Sequence, residues 1–269
     1  MDLGIYGKVA LVTGGGQGVG RTICLRLAEE GARVVVNDLV EERAQGVAEE
    51  IRSAGGTAQG ISADVTDLAA VQTMVQTAQE QLGPVSVLVN NAGIIPERRS
   101  GEVGLPSFAE SSPADWKKIV DLNLYGVANA AYSVIPGMIE RNEGSIVSII
   151  SDAGLVGERR YVIYGGAKAA ILGMSRSLAK ELGKNRINVN VVSLAAVSHE
   201  QPMADFLRED ATAENNETLA KMLRAYPLGR GLGRLTKPSD AANAVAFLAS
   251  DAAVYVTGQC LRVNGGFSM

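Results

Sequence analysis

Three side chains of this chain could together move a proton and a hydride: Ser151, Tyr164 and Lys168. Tyr164 and Lys168 stand four residues apart in Tyr-Gly-Gly-Ala-Lys, at the start of a helical pattern, so both face the same way. Ser151 closes an apolar run, residues 144–151, that reads as a buried strand. A free tyrosine is a poor base at neutral pH because its pKa lies near ~10. A fixed ammonium beside it favours the phenolate. A shift of roughly 3 units corresponds to about 4 kcal/mol of differential stabilisation. Such a phenolate can take the proton of an alcohol while the alcohol carbon gives up hydride. A Tyr-x-x-x-Lys pair alone is more often structural, so its chemistry depends on what stands upstream.

Upstream stands a strand–turn–helix start. Residues 8–13 are β-rich, residues 14–20 read Gly-Gly-Gly-Gln-Gly-Val-Gly, and a helical pattern covers 21–30. Glycines permit a tight turn and a close backbone approach, and the helix N-terminus offers free N–H groups to a pyrophosphate. The spacing Gly14, Gly18, Gly20 differs from a plain Gly-x-Gly-x-x-Gly, and the context carries the reading. A second strand, residues 33–38, ends in Asp38, about 20 residues past the glycines, where a carboxylate meets ribose hydroxyls. Asp38 could also serve as a carboxylate at the next helix N-terminus. No basic residue directly follows it to receive a 2′-phosphate, so NAD is the expected cofactor.

These motifs, with Asn90-Asn-Ala-Gly93 and Asn123, resemble the short-chain dehydrogenase/reductase family from about residue 7 to the C-terminus. The resemblance implies an α/β Rossmann fold: a doubly wound parallel sheet of about seven strands with helices on both faces, in one domain spanning 1–269. It implies a catalytic tetrad of Asn123, Ser151, Tyr164 and Lys168. NAD would be held by Gly14, Gln17, Gly18, Val19 and Gly20, by Asp38 and Leu39, and by Asp64 and Val65. Asn91, Ala92 and Gly93, then Tyr164 and Lys168, and finally Ala195, Val197 and His199 complete the cofactor set. Asp64 and Val65 read equally well as a strand-to-helix turn capped by Asp67. Without the family, Asn123 would pass for a surface asparagine and Asn90 for a strand-end turn.

One segment departs from the family pattern. Leu194 and Ala195 stand where relatives carry Pro-Gly, and His199 stands in place of a threonine that holds the nicotinamide carboxamide. Alanine adds a Cβ where a close approach is expected, and the loss of proline loosens the backbone. His199, the one histidine of the chain, is either a satisfied polar residue or a donor to the carboxamide or substrate. With no second histidine and no cysteine cluster, no metal site is expected.

The elements that must position these groups alternate strand and helix. Helices are expected near 40–54, 67–82, 112–140, 161–182 and 239–250, with strands at 57–62, 85–89, 186–193 and 260–264. Ser112-Pro113-Ala-Asp115 is a strong helix start. Pro136 should kink the helix it begins, and Gly183 should close the next. Alternation of this kind favours a parallel sheet.

With 269 residues, 46% hydrophobic and 20% charged, the chain can bury a large core. Its net charge of −4 argues against nucleic-acid or anionic-membrane surfaces. Two cysteines, Cys24 and Cys260, fit buried thiols in a reducing compartment. No signal peptide or membrane span is expected, which makes the cytoplasm the default location. Small and apolar residues along 125–135 and 167–178 fit a homotetramer, or a dimer, like those common among relatives.

The substrate pocket is expected from three segments: a rim loop over 94–111, the stretch after Ser151, and a lid over about 194–230. Ile95, Ser151, Ala153, Tyr161, Tyr164 and Met203 are the expected substrate contacts. The leading expectation is NAD-dependent interconversion of a cyclic, aromatic or otherwise bulky secondary alcohol and its ketone. Two alternatives stand beside it. One is a 3-oxoacyl thioester reductase or 3-hydroxyacyl-CoA dehydrogenase, with Arg98, Arg99, Arg159 and Arg160 near the carrier phosphates. The other is a catalytically silent dinucleotide sensor or scaffold.

Overall fold

Val9, Ala10, Leu11 and Val12 are all buried, because both faces of the strand they form are covered. That strand opens a seven-stranded, all-parallel sheet in a computed structural model that describes residues 2–93, 107–200 and 204–269. The expectations on Ile95, Arg98, Arg99 and Met203 lie outside the described residues.

The strands are β1 (Val9–Val12), β2 (Arg33–Asp38), β3 (Thr57–Ser62), β4 (Val85–Asn90), β5 (Gly144–Ser151), β6 (Ile187–Leu194) and β7 (Cys260–Val263). Their order is β3-β2-β1-β4-β5-β6-β7. The order reverses between β1 and β4, so a crevice opens where their carboxyl ends diverge. The helices are α1 (Gly18–Glu29), α2 (Glu41–Ser53), α3 (Leu68–Leu82), α4 (Pro113–Val120), α5 (Gly126–Arg141), α6 (Ala153–Val156), α7 (Val162–Leu182), α8 (Glu217–Met222), α9 (Pro227–Leu232) and α10 (Pro238–Leu248).

Alternation within the strands divides the core. Ala10, Val12, Val34 and Val36 meet α1, α2 and α10 on one face. Val9, Leu11 and Val35 meet α3, α5 and α7 on the other. A fully buried side chain of this kind stabilises the fold by about 1.5–3 kcal/mol. A third, smaller cluster of Leu219, Leu223, Tyr226 and Leu235 lies under the segment after β6.

Ser112 caps α4 by accepting from the Asp115 amide at 3.2 Å, with Pro113 at the first helical position. The expected single helix over 112–140 is divided: a π-turn at Asp121–Tyr125 separates α4 from α5. Pro136 lies inside α5, which continues to Arg141. Gly183 follows α7 with a right-handed φ of −57°, and the left-handed residue of that corner is Arg186.

The short helix α6 sits directly on α7. A Cβ on Gly154 would stand 2.8 Å from the Ala169 nitrogen and 3.0 Å from the Lys168 Cβ. The Lys168 carbonyl carbon also lies at 3.0 Å, so the obstacle includes α7 backbone, which cannot yield cheaply. Gly154→Ala should therefore lower unfolding stability by about 1–3 kcal/mol. The measurement is the urea midpoint at constant slope; an unchanged midpoint would show that α6 tolerates displacement.

Candidate active site

The glycine turn after β1 is shaped as a cradle. Gly14 and Gly18 adopt φ of +61° and +54°, which an L side chain resists. A Cβ on Gly20 would fall 2.1 Å from the Gly14 carbonyl oxygen. The turn is stitched to the end of β4. Asn91 Nδ2 donates to the Thr13 and Gly14 carbonyls at 3.1 and 3.0 Å, and Thr13 Oγ1 accepts from the Asn91 and Ala92 amides at 3.1 and 3.2 Å. Asn91, and not Asn90, thus satisfies the backbone here. Asn90 points across the sheet and donates to Ser148 Oγ at 3.2 Å.

Asp38 is buried at the end of β2 and accepts from the Gly16 and Val40 amides at 3.2 and 3.1 Å. Leu39 beside it is exposed. One expectation is corrected: a basic residue does stand near Asp38. A Cβ on Gly16 would meet the Arg43 Cβ at 2.6 Å and Asp38 Oδ2 at 2.7 Å. Asp64 accepts from the amide and hydroxyl of Thr66, both at 2.8 Å, and Asp67 caps α3, as a strand-to-helix turn requires. Val65 is buried against Gly126, and its carbonyl accepts from Asn129 Nδ2 at 3.0 Å. The cradle, the α1 N-terminus behind it and the Asp38 carboxylate at the β2 end fit a dinucleotide.

The four expected catalytic side chains come together beyond the ends of β4 and β5. Asn123 is fully buried within the π-turn, and Nδ2 donates to the Ile119 carbonyl at 3.0 Å. Its Oδ1 is a buried acceptor with no protein partner among the described residues. Lys168 Nζ donates to the Ile149 carbonyl at 3.1 Å and lies 5.7 Å from the centre of the Tyr164 ring. A Cβ on Gly93 would come 2.7 Å from Lys168 Nζ and 2.9 Å from Asn123 Oδ1, so both groups converge over this glycine. That convergence is why residue 93 carries no side chain. Ser151 Oγ accepts from the Ala153 amide at 3.2 Å. Tyr161 packs edge-on against Tyr164, ring centres 5.6 Å apart.

A cavity of about 1100 Å³ runs from the glycine turn past these groups. Gln17, Gly18, Gly93, Asn123, Ser151, Ala153, Tyr161 and Tyr164 line it, as do Ala195, Val197 and His199. Its far end is walled by Phe206, Leu207, Met222, Tyr226 and Phe267, with Glu158 at the edge. Phe206, Leu207, Met222 and Tyr226 fall in the segment 194–230 expected to form the pocket, whereas Phe267 lies outside every expected segment. The turn that brings Phe267 there is far from the motifs, so no local period marks it.

The departure after β6 has a structural account. Ala195 has no left-handed φ, so the backbone there does not require glycine. Ala195 and Ala196 pack on the Leu219–Tyr226 cluster. Backbone bonds hold the segment in proline's absence. The Ser198 amide donates to Thr236 at 2.9 Å, and the His199 amide to Leu207 at 2.7 Å. His199 Nδ1 lies 3.9 Å from the Cβ position of Gly18, so the ring faces the glycine turn.

Fold and site together fit a dinucleotide-dependent oxidoreductase. Comparison with known proteins agrees. A family model described as enoyl-(acyl carrier protein) reductase matches residues 14–268. The 3-oxoacyl-(acyl-carrier-protein) reductase of Staphylococcus aureus is 38% identical over 264 residues, covering 97% of this chain and 98% of the relative. The proteins of the same name from Escherichia coli and Thermotoga maritima are 35% and 34% identical, each covering 98% of its own length. The chain belongs to the short-chain dehydrogenase/reductase family. Among the described residues, no helix is long and apolar enough to cross a membrane, and no cluster could hold a metal ion.

Burial pushes the Lys168 ammonium down to about 8 from its ordinary value, through desolvation. The group remains a cation at neutral pH, at a cost to stability. The unfolded chain keeps its proton up to about 10.4, so it binds more protons than the folded chain between the two values. The penalty is full below about 8 and is relieved as pH rises toward the unfolded value. Lys168→Met should therefore be at least as stable as the parent at pH 7, with the difference shrinking between pH 8 and 10. Unfolding midpoints across that range check it; a large loss of stability at pH 7 would contradict it.

Proposed function

We propose that the protein interconverts a secondary alcohol and its ketone with NAD, with a 3-oxoacyl thioester and its 3-hydroxy partner as the first pair to test. The reaction class rests on one observation: Ser151 and Tyr164 line a cavity that begins at a dinucleotide cradle, and the buried Lys168 Nζ lies 5.7 Å from the Tyr164 ring centre. The thioester reading is supported by the names of relatives that match nearly end to end.

A nicotinamide dinucleotide held by the Gly14–Gly20 turn and Asp38 would supply the hydride donor or acceptor for the reacting carbon. The chain's own residues handle the proton. Tyr164 gives its hydroxyl proton to the forming alkoxide in reduction and takes it back in oxidation. Ser151 donates to the same oxygen and holds it in line. Lys168 favours the phenolate electrostatically. Its Nζ lies 5.7 Å from the centre of the Tyr164 ring. Asn123 Oδ1, an acceptor only, faces the same space over Gly93 as Lys168 Nζ and can orient a proton-bearing group there.

Asp38 supports NAD over its 2′-phosphorylated counterpart, because its carboxylate stands where ribose hydroxyls bind and would repel a phosphate. Arg43 beside Gly16 tempers that preference. A second reading, oxidation of a free bulky alcohol, draws on the apolar and aromatic far end of the cavity. We also propose a homotetramer and a substrate lid formed by residues 194–230.

Two measurements test the reading. Acetoacetyl thioesters and a set of cyclic and aromatic ketones and alcohols are assayed with both dinucleotides at the nicotinamide absorbance. Thioester turnover with NADH favours the first reading, and turnover of free alcohols alone favours the second. Equal kcat/KM for both dinucleotides would refute the role given to Asp38, whereas Asp38→Ala should narrow a preference that exists. Tyr164→Phe should abolish turnover while leaving NADH binding by fluorescence within about 10-fold, because a single hydrogen bond of about 0.5–1.5 kcal/mol is at stake. Substantial activity in that variant would mean the proton goes elsewhere.

A further inference from the structure

Asp152 follows Ser151 directly and is buried among neutral donors. Its Oδ1 accepts from Ser193 Oγ at 2.5 Å, at the end of β6. Its Oδ2 accepts from Asn264 Nδ2 at 2.6 Å and from Ser268 Oγ at 2.7 Å, both in the C-terminal tail. The Asp152 amide donates to the Leu194 carbonyl at 2.9 Å. One carboxylate thus ties the end of β5, the end of β6 and the last residues of the chain.

The tail it holds is a tight turn. Gly265 and Gly266 have φ of +61° and +84°, Asn264 Oδ1 accepts from the Gly266 amide at 2.9 Å, and the Leu228 amide donates to Gly265 at 2.9 Å. Between the two Asp152 partners stands Phe267. Its ring stacks on Tyr226, centroids 5.0 Å apart and planes 24° from parallel, and both rings line the cavity. Tyr226 is buried in turn in the cluster of Leu219, Leu223 and Leu235, against which Ala196 packs. The cavity therefore holds two aromatic pairs, Tyr161 with Tyr164 and Tyr226 with Phe267.

We propose that Asp152 is a positioning residue that clasps the C-terminal tail to the active-site floor, and that Phe267, set by this clasp on Tyr226, selects substrates whose keto-bearing part carries an aromatic or alicyclic ring. The proposal deepens the reading of this cavity as the substrate site. A stacked aromatic wall gains most from a flat or compact ring, which covers it in one rigid contact. A straight chain covers the same wall only by freezing several rotors.

The clasp is tested on the unliganded protein, with no reaction involved. Asp152→Asn keeps the size but turns one oxygen into a donor facing donors. Hydrogen exchange at the Gly266 and Phe267 amides should accelerate at least about 10-fold, the factor for a bond worth about 1.4 kcal/mol. Ser268→Ala, which leaves the carboxylate in place, should show a smaller change in the same amides. Unchanged exchange in Asp152→Asn overturns the clasp.

The selectivity is tested with pairs of ketones of equal carbon number, ring-bearing against straight-chain, as free ketones and as thioesters. Phe267→Ala should raise KM for the ring member by about 10-fold or more, as expected when an apolar wall is removed. KM for the straight-chain member should rise less, so the ring-over-straight ratio of kcat/KM falls severalfold. An equal rise for both members overturns the selectivity. If the parent protein turns over no ketone or alcohol with either dinucleotide, the proposed function fails and the selectivity falls with it; the exchange result still decides the clasp.

Discussion

The site depends on keeping a cation dry. Lys168 is buried, yet its ammonium must stay charged to act on Tyr164. An isolated charge in such a place would shed its proton. Here the Ile149 carbonyl takes one of its protons, and Asn123 Oδ1 lies just across Gly93. The balance leaves the lysine protonated at neutral pH with little to spare.

Much of the nearby backbone is what that arrangement requires. Asn123 reaches the centre because the helix widens to a π-turn there, and its own amide takes up the Ile119 carbonyl. Gly93 has no side chain because two polar groups need its space. Gly154 and Gly165 let α6 lie against α7, which fixes the loop after Ser151 relative to Tyr164 and Lys168. A side chain at any of these glycines would act on the cation through geometry.

Period and punctuation carry most of the architecture. Strands β2, β3 and β5 fall where the expected runs end at Asp or Ser, and Asp67 and Ser112 cap helices where their types predict. The tetrad is legible because Tyr164 and Lys168 share a helix face. The π-turn is not legible from period, since five residues of altered spacing leave no apolar signature. Nor is the choice between Asn90 and Asn91, adjacent and identical in type, until the strand register turns one toward Ser148 and the other toward Thr13. Arg43 escapes notice for a similar reason: helix α2 returns it to Gly16, five residues after Asp38.

The departure at Leu194-Ala195 is of another kind. Elsewhere in the family a proline and a glycine stiffen and thin this segment; here the stiffness comes from neighbours. Leu194 carries the Asp152 amide on its carbonyl, Ala196 meets Tyr226, and Ser198 and His199 are bonded to Thr236 and Leu207. Rigidity once local to two residues is spread over contacts with three distant stretches of chain. Such contacts can be altered by changes far from the reacting atoms. The shape of the substrate end therefore answers to the tail and the small cluster around Leu219, while the proton chemistry answers to Lys168. That separation lets the cavity be reshaped without disturbing the buried cation.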